Sequence, residues 1–307
     1  MSFTIWLNYG MMVSADVENS MVATERVVNF AKNTPTEEED KGPSDSPTWI
    51  GSWCPISFRN FSLRYTQESS DVLQFINFEV TSGLKVGVVG RTAAGKSSIF
   101  AALFRLTDPN TTTPGGILVD GKDILEQPLH TVRRSITMVP QHPVIFQGTL
   151  RFNLDPNNEY DDIQMNTFLR DIGLKQSLDF KIDGGGSNLA AGERQQLSLV
   201  RALLRLLKTP IFALDEATAN IDSSTEENIQ KILKERLQRR TVLTIAHRLE
   251  TVVDSDKILV LREGKVVEYD TPQNLIKNPN SEFLAMIEKN KTQKRDELLD
   301  RIRASEN

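Results

Sequence analysis

The chain has 307 residues, of which 39% are hydrophobic and 25% are charged, and its formal net charge is −5 at pH 7. These values are typical of a globular protein long enough for one large domain or two modest ones, and the negative charge argues against nonspecific binding of nucleic acid. Cys54 is the only cysteine of the sequence, which excludes a disulfide within the chain, and no run of about 18 apolar residues predicts a complete membrane-spanning helix.

The chain opens with a predicted amphipathic helix over residues 3–31, whose apolar face is broad and whose first end is especially apolar. Residues 33–49 are rich in proline, acid and serine, so they predict an extended linker. A solvated linker is favoured over an acidic binding motif, because runs of like charge are usually solvated.

Alternating hydrophobicity follows between residues 56 and 80 and predicts antiparallel strands at 56–61, 62–65 and 72–76. From Lys85 onward the pattern changes to strands separated by helices, which predicts an α/β core. The buried strands of this core are predicted at residues 85–89, 135–139, 210–214 and 241–245.

The last third of the chain predicts a helix, a hairpin and a charged end. A helix over residues 223–237 is predicted from the capping-box pattern Ser-Ser-Thr-Glu at its start. Two apolar segments, 257–261 and 265–268, are separated by Glu-Gly and predict a β-hairpin. Residues 281–307 predict a charged helix, solvated and partly frayed.

A phosphate-binding motif follows the predicted strand 85–89 and precedes a helical pattern that begins at Ser98. It fits G-x-x-x-x-G-K-[ST] and consists of Gly90, Arg91, Thr92, Ala93, Ala94, Gly95, Lys96 and Ser97. A glycine-rich turn between a strand and a helix directs backbone N–H groups at phosphates. Lys96 can then reach the β- and γ-phosphates, and the Ser97 hydroxyl can bind Mg²⁺. The sequence therefore predicts a nucleoside triphosphate site.

Two acidic residues follow the apolar strand 210–214. A carboxylate at the end of such a strand, beside the phosphate-binding loop, can hold Mg²⁺ directly or through water, and Asp215 takes this place. Glu216 can accept a proton from a water aligned on the γ-phosphate. A solvated strand end is the simpler interpretation of an isolated Asp-Glu pair, but the phosphate-binding loop favours the functional one.

Four further segments occur in a characteristic order: Gln141 after a strand, residues 188–196 before a helix, residues 219–222 after Glu216, and His247 after a strand. Alone, Gln141 would be interpreted as a surface residue and His247 as a packed or solvated histidine. The set resembles the nucleotide-binding domain of ATP-binding-cassette (ABC) transporters, and most closely the second such domain of subfamily C, the multidrug-resistance-associated proteins. The stretches that carry this resemblance are residues 21–30, 90–98, 138–156, 214–219 and 241–249.

The resemblance implies a P-loop NTPase fold with a RecA-like α/β core, an antiparallel β subdomain near residues 55–85 and an α-helical subdomain near residues 142–205. ATP and Mg²⁺ are the implied ligands. Gln141 would sense Mg²⁺ and the attacking water, His247 would contact the γ-phosphate, and Glu216 would be the base. Tyr65 would stack on adenine, although a half-buried strand tyrosine is an equal alternative. The phosphate-binding set would extend to Ser98 and to the signature residues Leu189, Ala190, Ala191, Gly192 and Glu193 of the opposite site.

The resemblance also implies a domain organisation within a larger transporter. Residues 1–32 would be the cytoplasmic end of the last transmembrane helix, 33–54 a linker, 55–290 the nucleotide-binding domain and 291–307 a charged helix or tail. An independent amphipathic anchor is a less favoured interpretation of the first helix, because its polar face is acidic. The expected partners are the first nucleotide-binding domain and the membrane-spanning domains, with the solute bound elsewhere and the chain at the cytoplasmic face of a membrane.

Departures from the family pattern carry information. The family signature is approximately L-S-G-G-Q, and Ala190 lacks the serine hydroxyl that donates to a γ-phosphate oxygen, while Glu193 adds a negative charge. Ala93 stands where the family has glycine, so we expect strain if that position needs a positive φ. The segment 169–188 is short for the family, which puts its contact with the membrane domain in doubt. We expect an asymmetric sandwich with a competent P-loop half and a weakened lid.

Three classes of function are compatible with these features to different degrees. An ATPase domain that powers solute export is favoured by Glu216. A regulatory module that binds ATP with little turnover is favoured by Ala93 and the altered signature. A soluble cassette ATPase acting on DNA or ribosomes is disfavoured by the acidic composition and by residues 1–30.

Overall fold

The computed structural model describes residues 2–34, 54–107, 115–246, 248–289 and 292–304. The chain divides into two units, residues 1–41 and residues 42–307. In the first unit a single helix, α1, extends over Ser2–Asn33. Its large apolar side chains, such as Trp6 and Met12, are exposed. Most of the predicted linker, residues 35–53, lies outside the described residues.

None of the helices in the described ranges is both long enough and apolar enough to cross a membrane.

The second unit alternates strands and helices along the chain. Its strands are β1 (Ile56–Leu63), β2 (Leu73–Val80), β3 (Lys85–Gly90), β4 (Gly116–Val119), β5 (Lys122–Asp123), β6 (Ile136–Val139), β7 (Gly148–Thr149), β8 (Lys181–Ile182), β9 (Ile211–Asp215), β10 (Thr241–Ile245), β11 (Lys257–Arg262) and β12 (Lys265–Asp270). Its helices are α2 (Lys96–Leu103), α3 (Leu129–Ser135), α4 (Leu150–Leu154), α5 (Asp162–Ile172), α6 (Ala191–Leu204), α7 (Ser223–Arg236), α8 (Pro272–Lys277), α9 (Glu282–Glu288) and α10 (Thr292–Ala304).

The first sheet is antiparallel, with the order β2-β1-β4-β5. The prediction of separate strands at residues 56–61 and 62–65 is wrong, because one strand runs through both segments and ends at Leu63. Its register against β2 shifts between Phe58 and Phe61, next to Asn60, whose φ is +48°. A bulge of this kind bends a strand without ending it: pairing resumes at Phe61 and, after a second shift, at Leu63.

The second sheet has the order β12-β11-β3-β10-β9-β6, with β12 antiparallel to the rest. This mixed architecture confirms the predicted α/β P-loop fold. Ile245 at the end of β10 pairs with Asp215 of β9 and with Val88 of β3. The carboxyl ends of these neighbouring parallel strands therefore meet at one edge of the sheet, which is where open α/β sheets bind ligands.

Close packing surrounds this sheet. A Cβ atom built at Gly87 in β3 would lie 2.6 Å from Cβ of Val252, so the strand admits only glycine there. Helices α4, α5 and α6 belong to one apolar cluster that also contains side chains of β6, β9, β10 and α7. Cys54 is 1% exposed, and burial raises the pKa of its thiol to about 11.

Two predictions about the last third of the chain need correction. The N-cap of α7 is Asp222, whose carboxylate accepts the N–H of Thr225, so the capping box proposed for residues 223–226 is wrong. The charged end forms two helices, α9 and α10, and Leu298 and Ile302 of α10 are 1% and 0% exposed. A solvated helix is therefore wrong for residues 292–304, because α10 packs its apolar side chains against α8 and α9.

The hairpin prediction is confirmed. Strands β11 and β12 pair antiparallel, and both turn residues, Glu263 and Gly264, have positive φ angles, 51° and 76°. Two residues with positive φ form the tight turn whose twist matches the flanking strands.

Candidate functional site

The phosphate-binding loop connects β3, which ends at Gly90, to α2, which begins at Lys96. Its conformation depends on residues with positive φ: Ala93 has a φ of 63° and Gly95 a φ of 97°. A Cβ atom at Gly95 would lie 2.8 Å from Cδ2 of Leu73, so a side chain does not fit at that position. The first N–H groups of α2 have no carbonyl partner within the helix, so this turn can direct them at an anion.

Lys96 is 7% exposed, and its side chain contacts the backbone of this loop. Its Nζ donates to the carbonyl oxygens of Gly90 at 2.9 Å and Arg91 at 3.0 Å. Burial lowers the pKa of the Lys96 ammonium below its usual value, and the nearby carboxylates of Glu216 and Asp215 oppose that shift. The lysine thus lies close to the two predicted acidic residues.

Asp215 ends β9 and is 8% exposed, and Glu216 is the first residue beyond the strand. Glu216 has a φ of 48°, a left-handed conformation that is uncommon for a residue with a side chain. Its N–H donates to the carbonyl of Ile245 at 3.0 Å, which ties it to the end of the neighbouring strand β10. The bond fixes the backbone of Glu216 at the carboxyl edge of the sheet.

Gln141 lies two residues beyond the end of β6, beside β9. Its Nε2 donates to Oε2 of Glu216 at 2.8 Å. The structure therefore brings together Gln141, Glu216 and Lys96, which are far apart in the sequence, at the carboxyl edge of the sheet. The Gln141 amide fixes the orientation of the Glu216 carboxylate and keeps its own Oε1 for another partner.

Tyr65 lies just beyond β1, and its side chain is 51% exposed. Its hydroxyl lies 3.0 Å from Oγ of Ser98, in the first turn of α2. The tyrosine is therefore anchored beside the phosphate-binding loop with part of its ring accessible. Stacking on adenine stays a prediction.

The signature residues 189–193 lie at the start of α6, with Ala190 at the N-cap position. The N–H of Ala190 donates to Oε2 of Glu193 at 2.8 Å, and Nε2 of Gln176 donates to Oε1 of Glu193 at 2.6 Å. Both oxygens of Glu193 are therefore engaged within the helical region. Ala190 has no hydroxyl to complete the reciprocal half of a capping box.

His247 lies outside the described residues. The next residue, Arg248, donates from its guanidinium to Oε2 of Glu226 at 2.8 Å, and Oε1 of Glu226 accepts from the hydroxyl of Thr218 at 2.7 Å. This network joins the segment after β10 to the segment after Glu216. The sequence predicts Glu226 only as part of a capping box and Arg248 only as part of the family stretch 241–249, because no local spacing signals an ion pair between residues 22 positions apart.

A second residue that the sequence reasoning missed is Gln195 in α6. Its side chain is 0% exposed, and its amide bonds to the backbone of Glu216 and of Asn220. The sequence pattern could have predicted the burial of Gln195, because this residue shares a helix face with the buried residues Leu199 and Ala202, one and two turns later. A polar residue on such a face needs hydrogen-bond partners.

The acidic and polar groups at this edge suit Mg²⁺ bound together with phosphates. Among the described residues, no group of three His, Cys, Asp or Glu side chains could hold a metal alone. Mg²⁺ in phosphate-transfer sites uses one or two carboxylates and completes its shell with water and phosphate oxygens. Asp215, Ser97 and Gln141 fit that requirement.

The comparisons with known proteins agree with this geometry. Residues 73–219 match the family model described as ABC transporter. The chain is 42% identical over 285 residues to human ATP-binding cassette sub-family C member 4, covering 90% of this chain and 21% of the relative. It is 40% identical over 296 residues to Multidrug resistance protein mrp-7 of Caenorhabditis elegans, covering 94% and 19%. The chain thus spans about a fifth of the length of the curated relatives it matches.

A solved structure gives the same result for the fold. A bacterial Atm1-family ABC exporter with ATP bound superposes with a TM-score of 0.79 and 27% identity, covering 92% of this chain and 49% of the exporter chain.

Proposed function

We propose that this chain, which contains an ABC transporter domain, binds ATP with Mg²⁺ and hydrolyses it to power solute export by a larger subfamily C membrane transporter. The proposal rests on one observation: Lys96, Gln141 and Glu216 meet at the carboxyl edge of the parallel sheet, beside the phosphate-binding loop. The resemblance favours the second nucleotide-binding domain of such a transporter.

Binding of the triphosphate uses the loop between β3 and α2. The N–H groups of the first turn of α2 donate to phosphate oxygens, and the Lys96 ammonium moves its donors from the Gly90 and Arg91 carbonyls to the β- and γ-phosphates. Ser97, Asp215 and Oε1 of Gln141 would hold Mg²⁺, which would neutralise phosphate charge.

Hydrolysis uses Glu216 as the base. Its carboxylate accepts a proton from the water aligned with the γ-phosphate, while the water oxygen bonds to the γ-phosphorus and the bond from that phosphorus to the bridging oxygen breaks, so that ADP leaves. The amide of Gln141 holds the carboxylate in one orientation. By the resemblance, His247 contacts the γ-phosphate and stabilises the charge that develops there. The Arg248–Glu226 ion pair anchors the residue that follows this histidine.

The second half of the proposal is an asymmetric sandwich with the first nucleotide-binding domain. The signature of this chain faces the partner's phosphate-binding loop and lacks a hydroxyl at Ala190. A hydrogen bond to a charged group contributes about 1.5–3 kcal/mol, so the lid that this segment supplies is weak. The P-loop half of this chain is completed by the partner's signature.

An exposed apolar surface next to Gln141 supports a membrane-domain partner. Val144, Phe146 and Phe152 are 63%, 57% and 48% exposed. The segment is held rigidly, because the guanidinium of Arg201 donates to the carbonyls of Val144 and Asn153, each at 2.6 Å. Burial lowers the pKa of Arg201 to about 10. We place the membrane-spanning domains on this surface, residues 1–32 at the cytoplasmic end of their last helix, and the chain at the cytoplasmic face of a membrane.

A regulatory module that binds ATP with little turnover is the second candidate. Two observations favour it. Ala93 has a positive φ, which a glycine would adopt without strain, and the signature has no hydroxyl donor at Ala190.

The binding half of the proposal is tested by calorimetric titration of the full chain with Mg·ATP. We expect Lys96→Ala to weaken affinity by about 10- to 100-fold, the range that one charge-assisted bond supports. Lys85→Ala is the matched control, because Lys85 also clasps backbone carbonyls, those of Gly83, Gln238 and Arg240, but at the opposite end of β3. Equal affinity in the wild type and Lys96→Ala would contradict the proposal.

The hydrolytic half is tested by single-turnover hydrolysis with the chain paired with its partner domain. We expect Glu216→Gln to keep Mg·ATP affinity and to lower the hydrolysis rate by at least about 100-fold, as the loss of a general base does. Equal rates for the two proteins would favour the regulatory module.

A further inference from the structure

Gln195 is a polar side chain buried completely at the start of α6, two residues after the signature. Its Nε2 donates to the carbonyl oxygen of Glu216 at 2.9 Å, and its Oε1 accepts the N–H of Asn220 at 2.8 Å. Both ends of the amide are thus used, and both partners lie in the segment that follows β9. One side chain therefore joins the signature helix to the base and to the loop after it.

The residue that accepts from Nε2, Glu216, has a strained backbone conformation. A left-handed φ is unfavourable at a residue other than glycine and persists only where the surroundings hold it. Glu216, with its φ of 48°, is held at both ends of its backbone, by the carbonyl of Ile245 and by the amide of Gln195. The direction in which the Glu216 side chain leaves the backbone therefore depends on Gln195.

The signature itself packs on the same loop. A Cβ atom built at Gly192 would lie 3.0 Å from the carbonyl oxygen of Asn220. The first turn of α6 therefore contacts Asn220 directly, and the contact comes from a second residue, independent of the Gln195 amide. A displacement of residues 216–220 cannot leave the start of α6 unaffected.

We propose that Gln195 is a positioning residue that couples the P-loop site of this chain to its signature segment, residues 189–193. The inference rests on the proposed function, in which that signature belongs to the other nucleotide site of the sandwich. Nucleotide bound beside Lys96 and Glu216 shifts the Glu216 backbone, and Gln195 transmits the shift to the start of α6. Coupling between two binding sites is reciprocal, so ligand on the signature also biases Glu216.

The next residue of the helix supplies a matched control. Gln196 is also buried, 9% exposed, and its Nε2 donates to the carbonyl of Ile172 at 3.1 Å. That bond ties α6 to α5, away from Glu216 and Asn220. Replacement by methionine removes the buried side-chain hydrogen bonds, two at Gln195 and one at Gln196, while keeping the length of the side chain. A general loss of stability therefore appears in both variants.

The test is hydrogen–deuterium exchange of the full chain with and without saturating Mg·ATP, in the wild type, Gln195→Met and Gln196→Met. In the wild type we expect nucleotide to slow exchange at residues 90–98 and to change exchange at residues 189–193. In Gln195→Met we expect the first response to remain and the second to fall at least threefold. In Gln196→Met we expect both responses to remain.

Each other outcome overturns the inference. No nucleotide response at residues 189–193 in the wild type, an unchanged response in Gln195→Met, or an equal loss in Gln196→Met would each do so. Absence of protection at residues 90–98 in the wild type would overturn the proposed function as well, which separates the two failures. If Gln195→Met does not fold, Gln195→Asn decides in its place, since its shorter amide cannot reach both Glu216 and Asn220.

Discussion

Ala93 stands where the family has glycine, and its backbone has a conformation that favours glycine. Its φ of 63° lies in the left-handed region, which a Cβ atom disfavours. The neighbouring Lys96 ammonium, bonded to the carbonyls of Gly90 and Arg91, holds the loop around this residue closed. The strain is therefore local and is sustained by the loop.

The strain at Ala93 predicts a stabilising substitution. We expect Ala93→Gly to raise the free energy of unfolding by about 0.5–1 kcal/mol, because relief of a left-handed alanine (about 1–2 kcal/mol) exceeds the entropic cost of glycine (about 0.5–1 kcal/mol). Urea titration without nucleotide measures it. Ala101→Gly, inside α2, should instead lower stability by about 1 kcal/mol, and the same sign for both variants would contradict the explanation.

At the scale of elements, the start of α6 has an incomplete cap. Ala190 has the φ and ψ of an N-cap residue, −64° and 157°, and its N–H is satisfied by Glu193. The side chain contributes no acceptor to the first turn of the helix. The departure from the family signature therefore affects the stability of α6 as well as its proposed contact with phosphate.

A serine at the N-cap should complete this arrangement. We expect Ala190→Ser to raise the free energy of unfolding by about 1 kcal/mol, because its hydroxyl accepts an N–H of the first turn while Glu193 keeps its own bond. Ala191→Ser, one position inside the helix, is the control and should bring no gain. The midpoint of urea unfolding measures both variants, and equal effects would show that capping is not the cause.

Helix α10 shows why element burial is hard to predict from charge alone. Residues 281–307 contain many charged side chains and predict a solvated helix. Leu298 and Ile302 are nevertheless buried, since they lie four residues apart and form a narrow apolar stripe that packs on α8 and α9. Arg301, beside this stripe, donates to the carboxylate of Asp254 at 2.6 Å, so a charged side chain also helps to hold α10 against the rest of the unit.

For the whole molecule, the sequence predicts those features whose signal is local. The phosphate-binding loop, the Asp215–Glu216 pair and the β11–β12 hairpin follow from spacing and alternation, and so do the strands of the α/β core. The strand order cannot be predicted in this way, because pairing between β3, β10 and β9 depends on tertiary contacts. The hydrogen bond from Gln141 to Glu216 and the two bonds of Gln195 join residues more than 20 positions apart, and no local pattern encodes them.

The rate at which the Cys54 thiol is modified can report opening of the fold. The thiol is 1% exposed in the main apolar cluster, and its pKa of about 11 leaves about one molecule in a hundred ionised at pH 9. We expect iodoacetamide to modify Cys54 at pH 9 only as fast as the fold opens, and rapidly in urea. Rapid modification of the native protein would contradict the burial of this thiol.

The same pKa shift sets a pH dependence of stability. The folded pKa lies above the usual value of 9, so the stabilisation it represents is complete below pH 9 and is lost as the pH rises toward 11. We expect the difference in unfolding free energy between the wild type and Cys54→Ala to change over that interval and to stay constant below it. Urea unfolding at pH 8 and pH 10.5 measures the difference.

The inert lone cysteine makes the natural chain a ready background for site-directed labelling. A cysteine introduced on the surface, for example at Ser177 or Glu235, would be the one thiol to react with a spin label or fluorophore under native conditions, and no preliminary removal of Cys54 is needed. Pairs of such labels on two associating domains would report their separation during each step of a nucleotide cycle.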